Sequence, residues 1–248
     1  MITIKTKEEI EKMREGGKIL ARITKELEKE VKPGITTEYL NKVAEDLVFK
    51  YKAEPSFKGY DNFPAVVCTS VNEEVVHYPP SKRELKEGDI IVLDLGIKYK
   101  GFHTDMAITV PVGKKVDPEA LRLIRITKKA LKRGISKAKA GNTFGDIGNA
   151  VQRCVESQGF NVVKDLCGHG IGKELHEDPQ ILNYGRRKTG EFIKKGMVFC
   201  IEPITAMGDW HIEIADNGGY KTKDNSLSAH FEHTIAITDK GTKILTEL

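Results

Sequence analysis

The 248-residue sequence has only four cysteines, Cys68, Cys154, Cys167 and Cys200, and no two of them stand in CxxC spacing. In a chain of this length that argues against a disulfide framework and for free thiols in a reducing compartment. No stretch approaches the roughly 18 apolar residues of a membrane-spanning helix, so no membrane span is expected. The opening Met1-Ile-Thr-Ile-Lys-Thr-Lys-Glu-Glu9 lacks an apolar segment, so no signal peptide is expected either, and the protein reads as cytoplasmic. Net charge is only +4, too small by itself to imply a charged partner. What remains is ordinary: 39% apolar and 31% charged residues, in a length that allows one large domain or two small ones.

The stretch from Asp89 to Val110 is the most informative. Asp89-Ile-Ile-Val-Leu-Asp-Leu95 reads as an apolar strand, Lys98-Tyr-Lys-Gly101 as a turn, and Met106-Ala-Ile-Thr-Val110 as the returning strand of a hairpin. With Tyr99 and Lys100 as the loop, Asp94 and Asp105 become direct cross-strand partners, their Cβ atoms roughly 4.5–5.5 Å apart. Two ionised carboxylates so placed among Ile, Val and Leu repel each other and lack solvent. Either one holds a proton or a cation sits between them; a pair bridging two ions about 3.5–4 Å apart is one solution. A surface hairpin with both acids in water is the other.

Around the hairpin, helical and extended segments alternate. Ile10, Met13, Gly17, Leu20, Ile23, Leu27 and Val31 recur at three- and four-residue steps and predict a helix from Lys7 to about Val31, stopped by Pro33-Gly34. Thr36 or Thr37 caps a second helix with Leu40, Val43, Ala44 and Leu47 on its apolar face. Residues 65–76 read as strand, turn and strand, ending at His77. Asp117 and Pro118 start a third helix that runs to about Ala138 and carries Arg122, Arg125, Lys128, Lys129, Lys132, Arg133 and Lys137, with Lys139 just beyond. Gly141-Asn-Thr143 starts a fourth. Lys139-Ala-Gly-Asn-Thr143 echoes Lys32-Pro-Gly-Ile-Thr36, and the same offset pairs Leu40 with Ile147 and Ala44 with Val151. Two halves, roughly 1–112 and 113–248, each of two helices and then strands, fit a pseudo-twofold α+β architecture in one domain, 1–248. The second half ends in strands at 196–203, 211–215 and 228–237, the last read as one alternating strand.

Further candidate groups lie in that second half. Gly168-His-Gly-Ile-Gly172 puts His169 on a glycine-rich loop, and His176 follows seven residues on. Glu202 interrupts the apolar run Val198-Phe-Cys-Ile201, and Glu232 sits in Ala229-His-Phe-Glu-His-Thr234. Each has a plain alternative: a solvent-facing loop, or an acid turned to water on an edge strand. Taken together, Asp94, Asp105, His169, Glu202 and Glu232 form a hard, oxygen-rich set with one imidazole. That set suits Mn²⁺, Fe²⁺, Co²⁺ or Zn²⁺ and lacks the thiolates of a structural zinc site.

On these motifs the chain resembles the compact bacterial methionine aminopeptidases of the pita-bread metallopeptidase family. The resemblance runs from the helix around Lys5–Met13 to the last strand. It rests on Ser70-Val-Asn-Glu73 with His77, on Asp94 and Asp105, on Gly168-His-Gly-Ile-Gly172 with His176, and on Ile201-Glu-Pro203 and Phe231-Glu-His-Thr234. It implies a pseudo-twofold antiparallel sheet with helices on its outer face. It implies two divalent ions, with Asp94 and Asp105 on one or both, His169 and Glu202 on one, and Glu232 bridging with Asp105. His77, His176 and Glu202 would be catalytic. His77 and His176 would contact substrate, and Tyr60, Phe63, Cys68 and Leu175 would line the methionine pocket. The implied reaction is removal of N-terminal methionine from nascent chains, favouring a small second residue, by a monomer. Leu175 and His230 stand where relatives commonly carry Phe and Gln, which alters the pocket's shape and brings an imidazole close to the metals. No tryptophan matches the pocket rim near Gly218 and Gly219. Two other readings remain open: a proline-specific peptidase of the same fold, for whose usual extra N-terminal domain the sequence has no room, and a metal-free binding module. The basic helix from Arg122 to Lys139 would dock on ribosomal RNA or be a solvated face.

Overall fold

A computed structural model describes residues 1–248. Helix α1 (Lys7–Glu28) starts at a reciprocal cap: Thr6 Oγ1 accepts from the Glu9 N–H at 3.2 Å and Glu9 Oε2 accepts from the Thr6 N–H at 2.8 Å. It ends at Glu28, one turn before the expected Val31. Thr36 caps α2 (Thr37–Lys50), accepting from the Tyr39 N–H. Asp117 caps α3 (Pro118–Lys137), accepting from the Glu119 N–H at 2.7 Å, and α4 (Phe144–Glu156) follows Thr143. Leu20, Ile23 and Leu27 of α1 and Leu40 and Leu47 of α2 pack on Ile91, Leu93, Leu95 and Ile97. In the second half, Leu131 of α3 and Phe144 and Ile147 of α4 pack on Phe199 and Ile201. Both helix pairs thus cover sheet, and every strand pairing is antiparallel.

The first large sheet is built on the hairpin Ile90–Tyr99 and Phe102–Pro111, with Cys68–Val71 and Glu54–Pro55 against its first strand. The hairpin's register differs from the expected one. Tyr99 pairs with Phe102, so the loop is Lys100-Gly101, and Asp105 lies opposite Gly96 while Asp94 lies opposite Ala107. Lys100 (φ 50°) and Gly101 (φ 81°) both have positive φ, as a two-residue hairpin turn with the right twist requires. Glycine at the second turn position decides the register. The shift is even in residues, so Asp94 and Asp105 remain on one face, as diagonal rather than direct neighbours.

The second large sheet has the order Gly241–Ile244, His233–Thr238, Val198–Ile201, Cys167–Gly170, Glu177–Leu182. His169 is therefore on a strand and not on a loop. Its flanking glycines do not adopt positive φ; they admit neighbouring backbone. A Cβ on Gly168 would lie 2.3 Å from the Cys200 carbonyl oxygen, and one on Gly170 would lie 2.0 Å from that of Asp178. The run 228–237 is also not one strand. Ser228–His230 belongs to a three-stranded sheet with Ile204–Ala206 and Asn161–Val162, His233–Thr238 belongs to the five-stranded sheet, and Phe231 and Glu232 fall between.

That interruption joins the two halves. Along Phe102–Pro111, Thr109 Oγ1 accepts from the His230 N–H at 2.8 Å and donates to the His230 carbonyl at 2.7 Å. The Glu232 N–H donates to the Ala107 carbonyl at 2.9 Å. Thr234 Oγ1 accepts from the Asp105 N–H at 2.9 Å and donates to its carbonyl at 2.8 Å. These contacts keep one antiparallel register, but threonine hydroxyls make four of its five bonds. Thr109→Val keeps the shape and removes both bonds to His230, whose buried N–H and carbonyl then lack partners. A loss of about 2 kcal/mol in urea unfolding is expected; a loss under about 0.5 kcal/mol would show that the seam carries no stability.

Candidate metal centre

The seam and the hairpin bring the acids together. Asp94 and Asp105 are 7% and 3% exposed and Glu232 is 3% exposed. A carboxylate oxygen from each lies within 4.8 Å of the other two. Asp94 Oδ1, Asp105 Oδ1 and Glu232 Oε1 are buried without any hydrogen-bond partner. Such orphaned acceptors are rare in a folded core, and three at one point fit a cation. Asp94 and Asp105 come from the hairpin's two strands, Glu232 from the break beside Ala107, and Glu202 from the residue after Val198–Ile201.

His169 faces this cluster, its Nε2 being 3.7 Å from Glu202 Oε1 and 3.9 Å from Glu232 Oε1. Its Nδ1 is 2.9 Å from the Gly170 carbonyl, an acceptor, so Nδ1 carries the proton and Nε2 has a free lone pair. Burial holds the ring neutral by lowering its pKa to about 3. The carboxylates are pushed the other way. Burial and the neighbouring Asp105 raise Asp94 well above the ordinary range. Burial raises Asp105 to about 7, and burial with the other acids raises Glu202 and Glu232 well above theirs. Five sites expected from sequence therefore meet at one place, and the surface and edge-strand alternatives for these acids do not hold.

The cluster floors a cavity of about 910 Å³. Tyr60, Phe63, Cys68, Leu175, His77 and His176 all line it. Tyr60 OH is 2.8 Å from His176 Nδ1, and the His176 ring stands edge-on to His169 with centroids 4.4 Å apart. His77 ends the strand Glu74–Val76 with φ 58°, a backbone conformation that non-glycine residues seldom hold without a structural reason. Phe57, Cys167 and Tyr220 also line the cavity, and sequence reasoning missed them. Tyr220 stands edge-on to His77 at 5.9 Å, and Phe57 to Phe63 at 6.4 Å. Nothing in their local sequence separates Phe57 and Tyr220 from ordinary strand aromatics. Trp210 stacks on His211 instead and does not reach the cavity.

A buried acid cluster, a neutral imidazole facing it and an apolar-walled cavity are the parts of a metal-dependent hydrolase. The chain belongs to metallopeptidase family M24, whose profile matches residues 11–239. Within that family it is similar to a methionine aminopeptidase of Clostridium acetobutylicum, 49% identical over 99% of both chains. A crystal structure of methionine aminopeptidase from Thermotoga maritima superposes with a TM-score of 0.97 at 44% identity, covering 100% of both chains. A prolidase from Pyrococcus horikoshii shares the fold (TM-score 0.80) at 23% identity, and the match covers 98% of this chain and 63% of that one. The architecture is the pita-bread fold expected from the sequence.

The shifted groups set a pH dependence for the chelated protein. Carboxylates with raised pKa values stabilise the fold below the ordinary range of about 4, and that contribution is lost as pH rises through their folded values, about 7 for Asp105. Buried histidines with lowered values act oppositely, gaining stability as pH rises, but only up to their ordinary pKa of about 6.5. Above about pH 6.5 the carboxylates act alone. The Tm after chelation should fall from about pH 6.5 to about 8.5, and saturating Mn²⁺ should abolish the fall. A Tm that is flat or rising over that range contradicts the assignment.

Proposed function

We infer that this protein removes the N-terminal methionine from peptides and nascent proteins by metal-assisted hydrolysis of the first peptide bond, favouring a small second residue. The observation that carries the reading is the set of buried, unpartnered carboxylate oxygens converging beneath a cavity walled by Phe57, Phe63, Cys68 and Leu175. Asp94, Asp105 and Glu232 would hold two divalent ions among them, with His169 and Glu202 completing one site. Mn²⁺, Fe²⁺, Co²⁺ or Zn²⁺ would suit the donors. Ions so held supply a bound water of lowered pKa and polarise the scissile carbonyl. The candidate ligands come from both halves of the chain, which supports treating residues 1–248 as one catalytic unit.

The surrounding side chains do the rest. With the Tyr60 hydroxyl, 2.8 Å from His176 Nδ1, as the donor, the His176 proton would sit on Nε2, where it would stabilise charge developing on the carbonyl oxygen. His77, which lines the cavity beside Tyr220, would position the leaving amide and help to protonate it. Glu202, at the edge of the acid cluster, would carry a proton between the attacking water and the leaving group. Methionine's flexible thioether packs against the aromatic and sulfur-bearing walls.

The strong likeness to methionine aminopeptidases over the full length favours this reading over a proline-specific peptidase, and the unpartnered acids disfavour a metal-free binding module. The metal-loaded enzyme should cleave Met-Ala-Ser, leave Xaa-Pro dipeptides intact, and lose activity on chelation. Asp105→Ala should lower kcat/KM at least 100-fold, or about 2.7 kcal/mol. Equal turnover of Xaa-Pro, or an active Asp105→Ala protein, would overturn it.

The exposed Arg125, Lys128, Lys129, Lys132, Arg133, Lys137 and Lys139 follow one helix and the residues just after it. We infer that they attract ribosomal RNA, since neutralising phosphates needs no sequence reading. Co-sedimentation with ribosomes should weaken steeply with salt and disappear when Lys128, Lys129, Lys132 and Arg133 become Glu. Unchanged binding in that variant removes the idea.

A further inference from the structure

A second imidazole faces the acid cluster. His230 is 2% exposed, and neither Nδ1 nor Nε2 has a hydrogen-bond partner. Its Nε2 lies 3.7 Å from Glu202 Oε2 and 4.0 Å from Glu232 Oε2. The two carboxylates therefore show their Oε1 atoms to His169 and their Oε2 atoms to His230. The rings differ in what lies behind them. His169 has a carbonyl acceptor at Nδ1, which fixes its proton there. His230 has no hydrogen-bond partner at Nδ1, and two carboxylate oxygens stand in front of its Nε2.

We propose that His230 is a positioning residue whose Nε2–H is directed at the outer oxygens of Glu202 and Glu232, holding both carboxylates so that their inner oxygens face the ions. A neutral imidazole bears one N–H, and a buried one places it where an acceptor exists. At 3.7–4.0 Å the contacts are longer than hydrogen bonds, and small carboxylate rotations on metal loading would close them. Hydrogen bonds of this kind to ligating carboxylates commonly affect metal affinity 10–100-fold. The main chain of His230 is clamped to Thr109 on both sides, so the ring's position is set independently of the ions.

This inference rests on the metallopeptidase reading, and its test separates the two. Co²⁺ titration calorimetry is run on the wild-type protein and on His230→Leu and His230→Gln. Leucine removes the donor and should weaken Co²⁺ binding 10–100-fold and shift the Co²⁺ absorption bands. Glutamine restores an N–H donor and should recover affinity to within about threefold. Independently of whether the variants fold, ¹⁵N-histidine spectra of the Zn²⁺-loaded wild-type protein should show His230 protonated on Nε2. Equal affinity of His230→Leu and wild type, failure of glutamine to rescue, or a metal-coordinated Nε2 on His230 would overturn the proposal alone. Failure of the wild-type protein to bind Co²⁺ would overturn the metallopeptidase reading and this proposal with it.

Discussion

Mutual repulsion among Asp94, Asp105, Glu202 and Glu232, held where water is scarce, is the constraint on which the rest of the structure depends. Burial raises the cost of ionising each of them, and Asp105 adds to that cost for the other three. A fold that kept such groups apart would be easier to stabilise without ions. Here the backbone opposes separation from two directions. The hairpin fixes Asp94 and Asp105 on one face, and the threonine seam pins Glu232 beside Ala107. The proton affinities follow from that geometry, and divalent cations are the natural replacement for those protons.

The site divides its work between rigid and adaptable parts. Asp94, Asp105 and His169 lie on strands, and Glu202 and Glu232 immediately beside strand ends, where ladder bonds restrain the main chain. His77 and His176, which would contact substrate, sit in irregular segments next to strands, and Tyr60 sits on a short helical turn with left-handed residues beside it. Ions tolerate little positional error, whereas a substrate that enters and leaves needs walls that can adjust.

Much of this was legible in the sequence because a buried charge interrupts an apolar run conspicuously. Asp94, Glu202 and Glu232 each stand among Val, Ile, Leu or Phe. Helix starts were legible where Thr36 or Asp117 caps them, whereas the first helix stops a turn before the Pro33-Gly34 signal. Register was not read correctly, because Gly101 outranks Tyr99 in a turn that needs two positive φ values. The error left the two aspartates on a common face only because strand geometry repeats every second residue. His169 was misread as a loop residue since glycine marks close approach as often as it marks a bend. Phe57 and Tyr220 were out of reach, because the cavity wall they form is assembled from segments far apart in the chain.

Gly168 and Gly170 carry a further consequence. The space a side chain would need on either side of His169 is already filled by the carbonyls of Cys200 and Asp178. Neither position can drift by a single substitution unless a neighbouring strand moves, and the strand behind Gly168, Val198–Ile201, leads directly into Glu202. The imidazole is thus locked in place by missing atoms, and this short segment should change more slowly over evolutionary time than the histidine's own chemistry demands.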